Sequence, residues 1–98
     1  MNFPITWSTE NTFHFTLVYT IDGKREERSV FVRTVLQHSD GVVTVEVTVT
    51  GHGKKSRKLP KKRKEMPAGA TILREAFDLA QKLLPGSAKK VHYKNKTG

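Results

Sequence analysis

From Thr12 to Ile21 the side chains fall alternately on two sides, with Phe13, Phe15, Leu17, Tyr19 and Ile21 on one and His14, Thr16, Val18 and Thr20 on the other. A period of two, with one side consistently apolar, is the mark of a half-buried strand. Asp22-Gly23 follows. This pair suits a two-residue type I′ turn, because both central residues need positive φ, which Gly takes freely and Asp tolerates. Placing Ile21 opposite Lys24 sets Phe13 against Val32, Phe15 against Val30 and Leu17 against Arg28, which predicts a second strand from about Glu27 to Leu36. A second Asp-Gly at 40 and 41, read as another two-residue turn, sets Val32 against Val49, Thr34 against Val47 and Leu36 against Val45. Both turns put the same residues on one core face: Phe13, Phe15, Leu17, Val30, Val32, Leu36, Val43, Val45, Val47 and Val49. That agreement carries weight, since a slip of one residue would turn a whole strand over.

The period then changes. Between Thr71 and Leu84 the apolar residues Ile72, Leu73, Ala76, Phe77, Ala80, Leu83 and Leu84 recur at intervals of three and four, forming the stripe of an amphipathic helix. Thr71 is the expected N-cap, and Pro85-Gly86 the stop. The expected fold is α+β: a three-stranded antiparallel meander over residues 12–50, covered on one face by a single C-terminal helix over 71–84. An extra edge strand from the N-terminal or C-terminal segment stays open. Phe3, Ile5 and Trp7 alternate before the sheet, although Pro4 argues against a central strand, and Val91 and Tyr93 alternate within the tail of residues 85–98. A chain of 98 residues forms one domain able to bury about two thirds of its unfolded surface.

Charge sharpens this picture. The net charge is +9, but residues 54–65 hold eight cations against Glu65 alone, and the tail from Lys89 adds four more, so the remaining residues sum to −2. A surface charged only for solubility mixes its signs, whereas here the excess is confined to one linker and one end. Residues 51–70 have no hydrophobic period, and mutual repulsion predicts a mobile loop that a polyanion would order. The candidate nucleic-acid contacts are Lys54, Lys55, Arg57, Lys58, Lys61, Lys62, Arg63 and Lys64 in that loop and Lys89, Lys90, Lys94 and Lys96 in the tail. Neutralising phosphates in this way releases counterions without reading base sequence. His14, Phe31 and Arg33 on the second sheet face are secondary candidates, where an aromatic beside cations could stack a base.

Other chemistry is sparse. The absence of cysteine excludes thiol chemistry and disulfides, and His14, His38, His52 and His92 show no metal-ligand spacing. No serine lies in a nucleophile elbow, so neither catalysis nor any metal or cofactor is expected. Leu59-Pro60-Lys61-Lys62-Arg63-Lys64 resembles a monopartite nuclear localisation signal. Three strands, a basic loop and a helix, with Val43-Thr44-Val45-Glu46-Val47-Thr48-Val49 as the third strand, resemble the second half of a double-stranded RNA-binding domain over less than half of the chain. Two features depart from that family: a Pro-containing segment stands where it has a helix, and Thr71-Ile72-Leu73-Arg74 opens the last helix in place of a Lys-Lys pair. The expected function is a small non-enzymatic nucleic-acid-binding module. The alternative is a protein-interaction module, such as a viral or mobile-element accessory protein, docking an acidic partner surface. With no apolar run long enough to span a bilayer and no basic start leading into one, an intracellular protein without membrane contact is expected, cytoplasmic, or nuclear in a eukaryotic setting.

Overall fold

A computed structural model describes residues 7–94. Five strands form one antiparallel sheet: β1 (Ser8–Ile21), β2 (Lys24–Gln37), β3 (Val42–Val49), β4 (Gly53–Lys58) and β5 (Lys89–Lys94), in the order β4-β3-β2-β1-β5, with the helix α1 (Gly69–Leu83) packed on one face. The three-stranded meander expected from the sequence is therefore too small. Its three strands form the middle of a wider sheet, and the wider sheet also departs from what the double-stranded RNA-binding resemblance implies. Phe3, Ile5 and Lys96 lie outside the described residues.

The first hairpin follows its turn chemistry. Asp22 and Gly23 adopt φ of 52° and 77°, and Phe13 faces Val32, Phe15 faces Val30 and Leu17 faces Arg28. The second hairpin differs from expectation by two residues. Val32 faces Val47, Thr34 faces Val45 and Leu36 faces Val43, because Gln37 pairs with Val42 around a four-residue loop, His38 to Gly41. Only Gly41 takes positive φ there (71°); the Asp40 carboxylate instead accepts a hydrogen bond from the Val42 backbone N–H at 2.9 Å. Asp40 thus closes the loop with its side chain and avoids the left-handed region that a two-residue turn would impose. A shift of two preserves the side of every residue, so the face assignment survives the register error.

The largest correction concerns residues 51–70. Gly53–Lys58 form a strand that extends the sheet beyond β3, with Val47 facing Lys55 and Thr48 facing Lys54. Gly51, at φ 81°, sits in a tight turn closed by the His52 N–H to the Val49 carbonyl at 2.9 Å, so Gly51 and His52 belong to the hairpin turn that leads from β3 into β4. The chain beyond β4 is irregular but anchored. The Leu59 N–H continues the ladder to the Val43 carbonyl at 2.8 Å, the Leu59 side chain is buried, and Met66 packs against the core.

The core is the face read from the sequence, closed by α1. Val30, Leu36, Val43, Val45 and Val47 are fully buried, and Ile72, Ala76, Leu79 and Ala80 meet them from the helix, which lies mainly over β3 and β4. Leu79, one turn along from Ala76, belongs to the buried stripe although the sequence reading omitted it. The helix begins two residues earlier than expected. Ala68, extended at ψ 149° directly after Pro67, occupies the cap position and accepts from the Thr71 and Ile72 N–H groups through its backbone, which leaves Thr71 inside the first turn and not at the cap. At the other end Pro85 forces Leu84 to ψ 155° and stops the helix as expected. The chain then turns into β5, which pairs with β1 through Leu17 and Tyr93. Among the described residues no helix is long and apolar enough to cross a membrane.

Candidate nucleic-acid interface

The basic segment is distributed over three places. In β4 the residues facing Thr44, Glu46 and Thr48 are Lys58, Ser56 and Lys54, which puts them on the sheet face opposite the helix, while Lys55 and Arg57 share the helix side. Arg57 is occupied there: its two terminal nitrogens donate to Glu75 Oε2 at 2.9 Å and Asp78 Oδ2 at 3.0 Å on α1. The hydrogen bonds to Glu75 and then Asp78 hold the guanidinium above its ordinary pKa, and the bond from Arg57, followed by that from Lys82, holds the Asp78 carboxyl below the usual carboxylate range. Arg57 is thus a clamp between edge strand and helix and is less available to a phosphate than its neighbours. Lys54 lies 3.6 Å from Glu46 in a half-exposed pair of the kind worth at most about 1 kcal/mol. Lys55 and Lys58 make no ion pair among the described residues.

Residues 61–64 cross the end of the sheet beneath the β2–β3 loop. The Arg63 N–H donates to the Gly41 carbonyl at 2.8 Å, and a Cβ at Gly41 would stand 3.0 Å from the Arg63 carbonyl oxygen, so the basic run is seated against the loop by a glycine-only contact. His38, Gly41, Lys62, Arg63 and Lys64 line a recess of about 440 Å³. The Arg63 Nε is buried with no hydrogen-bond partner among the described residues. The four-residue loop brings His38 to the recess, and no local pattern marks it as a neighbour of cations more than twenty positions along the chain. Lys61, Lys62 and Lys64 make no ion pair among the described residues. On the opposite edge, Lys89, Lys90 and Lys94 belong to β5, with Lys94 facing Thr16 and Lys90 at φ 54° where the pairing is irregular.

The helix-free face of the sheet is open. Phe31 stands on the central strand and remains 54% exposed, and Trp7, 67% exposed, does not cover it. One rung runs His14, Phe31, Thr48, Lys54 across four strands, and the His14 and Phe31 ring centroids lie 6.2 Å apart. Arg33, on the next rung between Thr12 and Glu46, forms an ion pair with Glu10. Thr12, His14, Phe31, Arg33, Glu46 and Thr48 surround a shallow depression of about 330 Å³. The sequence reading found His14, Phe31 and Arg33 by their shared side; Thr12 and Thr48 were not singled out, since hydroxyl residues on a solvated strand face carry no distinctive signal. Among the described residues no cluster of three or more His, Cys, Asp or Glu side chains is placed to hold a metal ion.

Comparison with protein-family models, curated proteins and solved structures finds no match to this chain.

Proposed function

We propose that this protein is a small non-enzymatic module that binds nucleic acid mainly through phosphate contacts, with little dependence on base sequence. The observation that carries this reading is the distribution of unpaired positive charge. Glu46 pairs with Lys54, and both Glu75 and Asp78 pair with Arg57, while Lys55, Lys58, Lys61, Lys62 and Lys64, with Glu65 the one acid inside the segment, remain without ion pairs among the described residues. These lysines follow one edge and one end of the sheet, and Lys89, Lys90 and Lys94 line the other edge. A concentration of cations that the fold does not use internally supports a polyanionic partner.

The test is a titration of nucleic acid at several salt concentrations with the wild type and with a variant carrying Lys54, Lys55, Lys58, Lys61, Lys62 and Lys64 as Gln. Arg57 and Arg63 are kept, because one clamps the helix and the other packs against Gly41. If six cations neutralise phosphates, the slope of log K against log salt is roughly −5 for duplex and roughly −4 for a single strand, and flatter in the variant. Affinity that ignores salt, or that survives the sixfold change, contradicts the proposal.

A further inference from the structure

The geometry points to single-stranded nucleic acid as the ligand, with Phe31 stacking an unpaired base on the open sheet face while cations at the two sheet edges hold the backbone on either side. This rests on the nucleic-acid reading above and adds the strand state of the ligand.

Three observations converge on it. First, parity places Lys54 and Lys58 of β4 and Lys94 of β5 on the same face as Phe31, since they face Thr48, Thr44 and Thr16 respectively. Four strand intervals separate β4 from β5, so positive charge flanks the aromatic ring across a surface about 19 Å wide. Second, the surroundings of Phe31 suit a base and not an apolar protein surface. The depression around it is lined by Phe13 and Val32 together with Thr12, His14, Arg33, Glu46 and Thr48, and the last five are residue types that can donate to or accept from the edge of a stacked base. Third, the exposed face of an aromatic side chain is of no use to an intact duplex, whose bases cover one another and show a protein only their edges and phosphates. A single strand presents base faces without that unstacking cost, and stacking on an aromatic tolerates any base, in keeping with weak sequence preference.

The experiment compares binding of a mixed-sequence oligonucleotide about 12 nucleotides long, as a single strand and as a duplex, by the wild type, Phe31→Ala and Phe31→Trp. Phe31 is exposed, so its removal leaves the core intact, and unchanged thermal denaturation verifies this. The wild type is expected to prefer the single strand. Phe31→Ala is expected to lose roughly tenfold in single-strand affinity, with duplex affinity and the salt slope nearly unchanged, and Phe31→Trp to keep the wild-type value. Equal affinity for the two forms, or no effect of Phe31→Ala, overturns the inference while leaving the phosphate-contact reading intact if binding is salt-dependent. Absence of binding to either form overturns both.

Discussion

Gly23 and Gly41 both lie at positive φ in β-hairpins, but they do so for different reasons. Gly23, at 77°, serves its turn alone, and a Cβ there would meet nothing within 4 Å. Gly41, at 71°, is also a contact surface for the backbone of Arg63 and the side chain of Lys62. Gly23→Ala therefore carries only the conformational penalty of the left-handed region, about 1 kcal/mol, whereas Gly41→Ala adds the displacement of residues 62–63 and is expected to cost at least about 1 kcal/mol more. Chemical denaturation of the two variants measures the difference, and equal losses would show that the basic run is not seated on the loop. The sequence could indicate the need for glycine at 41 but not this second role, because the contact joins residues more than twenty positions apart and no local pattern marks it.

At the scale of elements, legibility followed hydrophobic period. β1 to β3 and α1 bury apolar side chains, so their periods of two and three to four appear directly in the chain, and even the misjudged second turn kept the correct faces. β4 was invisible for a physical reason: Gly-Lys-Lys-Ser-Arg-Lys has no apolar side to bury, and the strand is held by the β3 backbone ladder and by Arg57 reaching to Glu75 and Asp78. β5 is short and half basic, with Tyr93 as its link to the helix through an edge-on contact with Phe77, ring centroids 5.7 Å apart. The clamp at β4 has a pH signature. Asp78 has its pKa lowered in the folded state from an ordinary value of 3.8, so its contribution is present above that value and is lost as pH falls through the lower folded-state pKa. Acid titration of the denaturation midpoint should show a shallower decline below about pH 4 in Asp78→Asn than in the wild type, and Arg57→Gln should cost about 0.5–1 kcal/mol at neutral pH, since the pair is partly exposed and screened. Superimposable acid profiles would mean that the ion pair does not couple strand to helix.

Taken whole, the molecule is elongated, 62 × 29 × 22 Å, with a helix on one broad face of the sheet and the other face open. The candidate site was partly legible at this scale. Charge segregation pointed to the cations and face parity to Phe31, but their arrangement around one open face depended on β4, which the hydrophobic pattern did not disclose, and on β5, which the alternation of Val91 and Tyr93 had left open. Those strands are also the two lateral limits of the sheet, where backbone N–H and C=O groups are left without a neighbouring strand, and such limits invite a second sheet to dock and begin an aggregate. Here each carries a row of lysines, Lys54, Lys55 and Lys58 on one side and Lys89, Lys90 and Lys94 on the other, so two copies approaching edge to edge bring like charges together. The lysines that attract a polyanion therefore also keep the protein apart from itself. Replacing those of β4 by Gln should raise concentration-dependent light scattering at low salt, and high salt should raise scattering of the wild type toward the level of the variant. If neither rises, the edges are protected by shape alone.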